Sequence, residues 1–253
     1  MVRSLKQVLA MILSILLVGC GAKNKSTVAT DDVRELRRES EHFEFYLIEK
    51  DTKCLDDLEK NLEDNYEKIS ENLRVTLKSK IKVNIYPSIE EFHSNAGISN
   101  PEDWMVGVAK EDEILMVSPL NPGKVHNYEG LMQVVVHEFT HILVGKINSS
   151  TDTYLNEGIA VVESKQIDKN MKRWLKKASK EDKLPRIEEM RNNLFGLKQP
   201  YCFAGGFMDF LVNEYGYDKV VEIIGKNVKL EETTGLDKEE LWVEWKQYID
   251  ENY

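Results

Sequence analysis

The sequence predicts an α+β fold, with strands gathered in its first half and helices in its second. Three observations carry this expectation. Ile81-Lys82-Val83-Asn84-Ile85-Tyr86 alternates strictly between apolar and polar residues, the period of a half-buried strand. Leu55 to Leu77 places apolar residues at 55, 58, 62, 66, 69, 73 and 77, the spacing of an amphipathic helix. From Glu129 to Val144 the chain is apolar on nearly every side, as a helix buried in a core would be. Strands followed by helices argue for segregated lobes, not a wound parallel sheet.

The elements follow in order. Arg3 and Lys6 precede an apolar run, Val8 to Val18, that ends in Leu17-Val18-Gly19-Cys20. A basic start, a short apolar core and small residues at a cut site describe a secretory signal, and the run is too short to span a membrane comfortably. The ending resembles a bacterial lipobox, which implies cleavage after residue 19 and acylation of Cys20. The mature chain is then expected outside the cytoplasm, anchored to the cell membrane by lipid. Residues 20–39, without an apolar period from Ala22 to Asp32, read as a flexible tether, and 40–253 as the folded domain.

Within that domain, His42 to Ile48 is aromatic and β-branched and reads as a strand. The helix over 55–77 and the strand over 81–86 follow, the latter stopped by Pro87. Ser88-Ile89-Glu90-Glu91 looks like a capping box opening a short helix. Trp104 to Ala109 and Ile114 to Val117 read as a hairpin across the turn Lys110-Glu111-Asp112-Glu113. After the core helix, with Gly145 as its stop, Tyr154 to Ser164 reads as a second core helix. Lys165 to Lys183 is basic and amphipathic, which fits a solvated face or a surface for anionic lipid. Tyr201 to Tyr215, Asp218 to Ile224 and Asp237 to Tyr253 complete the helices.

Composition narrows the function classes. The 253 residues are 42% hydrophobic and 31% charged, with a formal net charge of −10. That balance suits a globular domain and argues against a nucleic-acid partner. A monomer is expected. Cys54 and Cys202 fit either two buried thiols or one disulfide, with the thiols favoured.

The chemistry sits in His137-Glu138-Phe139-Thr140-His141. Residues four apart share a helix face, so both imidazoles can reach one ion, with Glu138 beside it as a base for an activated water. By itself the pattern also fits two surface histidines flanking a solvated glutamate. Leu155-Asn156-Glu157-Gly158 follows after a polar loop long enough to reverse the chain. Two antiparallel core helices would bring Glu157 to the same point as a third ligand, leaving one position open. An ion pair or a helix end facing water are the other readings of Glu157.

The motif H-E-x-x-H followed by N-E-G-x-A resembles the gluzincin branch of the zinc metallopeptidases, relatives of thermolysin and of zinc aminopeptidases, and within it the peptidase MA-like proteins. Also similar are the Ile-Tyr-Pro-Ser turn, the Gly107 hairpin and a late helix opening with Tyr201. The resemblance implies a zincin-like fold: a lobe with a small mixed sheet, a helical lobe, and an active site in the cleft between them. It implies one Zn2+ held by His137, His141 and Glu157, with Glu138 as general base and Tyr201 as donor to the developing oxyanion. It implies that Gly107, Val108 and Ala109 form an edge strand that pairs with a peptide or protein substrate. Where the aminopeptidases have Gly-x-Met-Glu-Asn this chain has Gly-Val-Ala-Lys-Glu, so the glutamate that holds a free amine is replaced by Lys110. A peptide-binding lipoprotein that retains zinc without turnover, and a zinc amidase acting on cell-wall material, are the alternatives. The remaining histidines, His42, His93 and His126, fit surface or capping roles. Asn156 fits a substrate contact or a helix cap, and Glu163 a residue behind the metal site or a solvated side chain.

Overall fold

The computed structural model describes residues 33–226 and 229–253, so the expected signal peptide, most of the tether and Cys20 lie outside the described residues. Among the described residues, five strands make one mixed sheet in the order β1-β2-β3-β5-β4. They are β1 (Glu35–Glu39), β2 (Phe43–Leu47), β3 (Ile81–Tyr86), β4 (Gly107–Lys110) and β5 (Glu113–Val117). The two inner pairs, β2 with β3 and β3 with β5, are parallel, while β1 and β4 run antiparallel at the edges. Parallel neighbours need crossovers. Helix α1 (Leu55–Leu73) provides the first and α2 (Ile89–Ala96) the second.

The strand readings hold because their apolar residues are buried. Phe43, Phe45 and Leu47 alternate with half-exposed residues, and Ile81, Val83 and Ile85 are fully enclosed. Strand β1 is a correction: the reading of a tether through residue 39 overlooks it. Its sequence, Glu-Leu-Arg-Arg-Glu, is charged and largely exposed, as suits an edge strand guarded against further pairing. Helix α1 also ends early. Arg74 turns with φ 58, and Val75 and Leu77 continue the apolar contacts from a loop.

Helix α3 (Tyr128–Ile147) is capped by the Asn127 side chain, which accepts from Gly130 N–H, and it runs through Gly145 without stopping. It lies against the sheet, with Phe139 edge-on to Phe43 at 5.6 Å and stacked on Tyr66 of α1. Helix α4 (Thr153–Glu163) follows, then α5 (Lys169–Lys180), α6 (Ile187–Asn193), α7 (Pro200–Lys226), α8 (Leu230–Thr234) and α9 (Lys238–Asn252). The basic stretch is shorter than its sequence pattern because Lys165 adopts φ 58 and Asp168 caps the new start. Helix α7 joins the two expected helices across Gly216, whose φ of 79 breaks the helical path. Helices α6 and α8 span seven and five residues, too short to carry a readable period. Asp237 and Glu240 form a capping box on α9. Cys54 and Cys202 are free thiols. Among the described residues no helix is long and apolar enough to cross a membrane.

The tightest helix pair is α4 on α7. A Cβ on Gly158 would fall 2.6 Å from the Ala204 carbonyl oxygen, and one on Gly205 would collide with Val161 Cγ1. Each helix thus offers a glycine where the other is closest. Gly145, on α3, has nothing within 4 Å of a built Cβ. Gly158→Ala is therefore expected to cost about 1–3 kcal/mol by overpacking. Gly145→Ala should be neutral or gain about 0.5–1 kcal/mol from helix propensity. Thermal unfolding of both variants beside the parent checks this pair.

Candidate active site

Helix α3 carries His137 and His141 on one face, with rings edge to face and centroids 4.6 Å apart. Helix α4 brings Glu157 to them: its Oε2 lies 3.3 Å from His137 Nε2 and 3.6 Å from His141 Nε2. One donor atom from each residue falls within 4.8 Å of the other two, a group that could hold a metal ion. The side chains of all three are nearly enclosed, at 9, 14 and 14% exposure. That burial rejects the surface readings of both histidines and of Glu157.

The outer ring nitrogens decide how the imidazoles point. His141 Nδ1 donates to Asn156 Oδ1 at 2.9 Å, and His137 Nδ1 donates to Gln166 Oε1 at 3.2 Å. With a proton fixed on the outer nitrogen, each ring turns Nε2 toward Glu157: protonated, that nitrogen donates to the carboxylate, and deprotonated it offers the lone pair a metal ligand needs. Asn156 therefore orients a ring and does not cap its helix. Gln166 had no sequence signal, because it acts from an irregular loop. Lys165 makes a left-handed turn there, Gln133 of α3 donates to the Lys165 carbonyl at 3.1 Å, and Gln166 N–H donates to Val161 O at 3.1 Å.

Glu138 faces the other wall of the cleft, and Gly107 is why it can. A Cβ at Gly107 would sit 2.7 Å from Val134 Cγ1 and 2.9 Å from Glu138 Oε1. Only glycine lets β4 lie this close on α3. Ala109 N–H then donates to the Glu138 carboxylate. Val106 O accepts from Val117 N–H, and Gly107 and Ala109 stand opposite Met116 and Ile114. Alternation along an antiparallel pair commits the backbone of Val108 to β5 and turns those of Gly107 and Ala109 outward. The expected three-residue edge thus divides: Gly107 and Ala109 present backbone groups to the cleft, and Val108 does not.

Tyr201, in the first turn of α7, lines the same cleft of about 690 Å³. Its ring centroid is 6.2 Å from that of His137. Burial, reinforced by the charges of Glu157 and Glu138, pushes its phenol well above the usual range, so it stays an O–H donor. Burial likewise raises the Glu138 carboxyl, partly offset by the two histidines. For Glu157 burial acts upward too, but hydrogen bonds from His137 and His141 outweigh it and hold the carboxyl low. Burial alone would lower His141; hydrogen bonding to Glu157 and the charge of Glu138 raise it instead. The cluster is thus a buried pocket of negative potential that attracts a cation, which is the chemistry of a metal site.

The other candidates fall elsewhere. Lys110 Nζ donates to Ala96 O at 2.6 Å. His42 stacks on Tyr66 and bonds Glu63, while His93 and His126 donate to backbone carbonyls. Glu163 is 1% exposed, which removes the solvated reading. It accepts from Asn72 of α1 at 3.0 Å and lies beside the Tyr217 phenol of α7, whose pKa burial raises and its charge raises further, so it sits where three helices meet.

With this geometry in place, one comparison decides the family: a model described as the peptidase MA superfamily matches residues 62–251. The chain belongs to the peptidase MA superfamily. The match begins inside α1, reaches α9 and includes all of the cleft residues. No curated protein matches the chain. Membership in the peptidase MA superfamily points to a metallopeptidase-type hydrolase acting on peptide or protein, in a family that is typically metal-dependent.

The electrostatics give a pH dependence. A proton on His141 competes with a cation, and its pKa is raised above the ordinary imidazole value of about 6.5. The apparent affinity for a divalent ion should therefore keep rising, by up to about tenfold per pH unit, above pH 6.5 instead of levelling there. Chelator competition between pH 5.5 and 8.5 measures it.

Proposed function

We propose that this protein is a zinc metallopeptidase, anchored to the outer side of the cell membrane through a lipidated Cys20, that hydrolyses extracytoplasmic peptides or proteins. The observation that carries the enzymatic part is the position of Glu138. A purely structural metal site needs no base, yet here a buried carboxyl is wedged between α3 and β4 beside the three donor atoms. The donor set of two imidazoles and one carboxylate suits zinc.

When bound, the ion supplies a Lewis acid that brings the acidity of water toward neutral pH. His137, His141 and Glu157 would hold it at the wall of the cleft. Glu138 takes the proton of the attacking water at its carboxylate and returns it to the leaving amine nitrogen. Its raised pKa suits both halves of that transfer. Tyr201, kept protonated by its surroundings, donates its phenol O–H to the oxygen that gains charge as the scissile carbonyl becomes tetrahedral. The N–H and carbonyl of Gly107 and the carbonyl of Ala109 align an extended substrate by adding it to the sheet edge. The Ala109 N–H serves Glu138 at the same time, so the strand that positions the substrate also positions the base.

Glu138→Gln keeps size and hydrogen bonding but removes proton transfer. The expected outcome is a loss of about 10²–10⁴-fold in kcat on a cleaved peptide, with one zinc per chain retained by elemental analysis. A variant that keeps its zinc and its full rate would sink the assignment.

A further inference from the structure

Tyr201, which lines the cleft, does not stand alone. Two large aromatic side chains meet its ring edge-on: Trp104, with centroids 6.4 Å apart, and Phe195, at 6.0 Å. They come from opposite lobes. Trp104 precedes β4, and Phe195 sits on a single 3-10 turn, Leu194–Gly196, that follows α6. Supports for Tyr201 alone would be covered by what they support. Instead Trp104 keeps 40% and Phe195 53% of its surface open, and they are among the few large apolar side chains so exposed.

Both are presented on fixed backbone. The Trp104 indole N–H donates to Glu102 Oε2 at 2.7 Å, and its carbonyl accepts from His126 Nε2 at 3.0 Å. The next carbonyl, of Met105, accepts from His93 Nε2 at 2.8 Å. Two of the histidines outside the metal cluster thus clamp the one loop that carries Trp104. Phe195 is fixed by its neighbour Leu194, which is 3% exposed. Exposed aromatic surface that is held rigid binds apolar groups at little cost in conformational entropy.

We propose that Trp104 and Phe195, with the Tyr201 ring between them, form a subsite for a large apolar or aromatic side chain of the substrate within two residues of the scissile bond. This rests on the peptidase reading above and specifies its substrate class. The ring contacts place the subsite beside His137, since Tyr201 touches His137 on one side and the two exposed aromatics on its others.

The test is digestion of a mixed synthetic peptide library by the zinc-loaded full chain, with cut sites read by mass spectrometry. Phe, Tyr, Trp, Leu or Met should be enriched at one position within two residues of the cut. In matched Phe and Ala peptides built on a cleaved sequence, Trp104→Ala and Phe195→Ala should each lower the Phe-over-Ala ratio of kcat/KM by about tenfold. Trp104→Phe should restore most of it, which separates lost contact from misfolding. Absence of apolar enrichment, or a ratio unchanged in both alanine variants, overturns the subsite while leaving the peptidase standing. If no peptide is cut, the Phe-over-Ala ratio is read as Kd by calorimetry on Glu138→Gln, with a pair of alanine-based peptides that differ only in a central Phe or Ala. A Phe preference lost in Glu138→Gln/Trp104→Ala then supports the subsite and removes the peptidase, whereas equal Kd values overturn the subsite.

Discussion

The burial of the Glu157 carboxylate between two imidazoles is the constraint on which the rest of the cleft depends. An ionised carboxylate withdrawn from water is costly unless paired. Here His137 and His141 provide the pairing. The partners can meet only if α4 lies close to both α3 and α7. Gly158, the residue after Glu157, makes that approach possible by leaving room for the Ala204 carbonyl. The motif Asn156-Glu157-Gly158 therefore contains three roles in three consecutive residues: one orients His141, one joins the donor set, one sets the helix spacing.

The sheet contributes a different element. Its edge strand β4 presses on α3 at Gly107, so a backbone N–H from Ala109 reaches Glu138. Glu138 and the two histidines thus belong to the same helix but are oriented from opposite walls, Glu138 by β4 and the histidines by Asn156 and Gln166. Such a division lets the carboxyl of Glu138 keep a raised pKa while that of Glu157, fewer than twenty residues away in sequence, is held low. Two carboxyl groups pushed apart in this way mark separate roles in one site. Glu163, buried where α1, α4 and α7 meet, fixes the back of the same assembly.

The donor set was legible because its spacing is local: four residues on a helix and one turn of chain to Glu157. The strands β2, β3 and β5 and the core helices were legible for the same reason, since their burial follows their period. What escaped depends on long-range placement. Gln166 acts from a loop whose turn is set by Gln133, and no pattern of residue types announces that contact. Strand β1 is charged and gains its hydrogen bonds from β2, not from an apolar face. The backbone of Val108 is lost to substrate because register, invisible in sequence, pairs it with β5.

Zinc-edge X-ray absorption of the purified, zinc-loaded protein is the most direct measurement of whether these three side chains share one ion. Two imidazoles and a carboxylate predict a four-coordinate shell of nitrogen and oxygen only, at about 2.0–2.2 Å, with outer scattering from two rings. His141→Ala should remove one ring from that pattern. Sulfur in the shell, at about 2.3 Å, or a spectrum indifferent to His141→Ala would place the metal elsewhere and contradict the site.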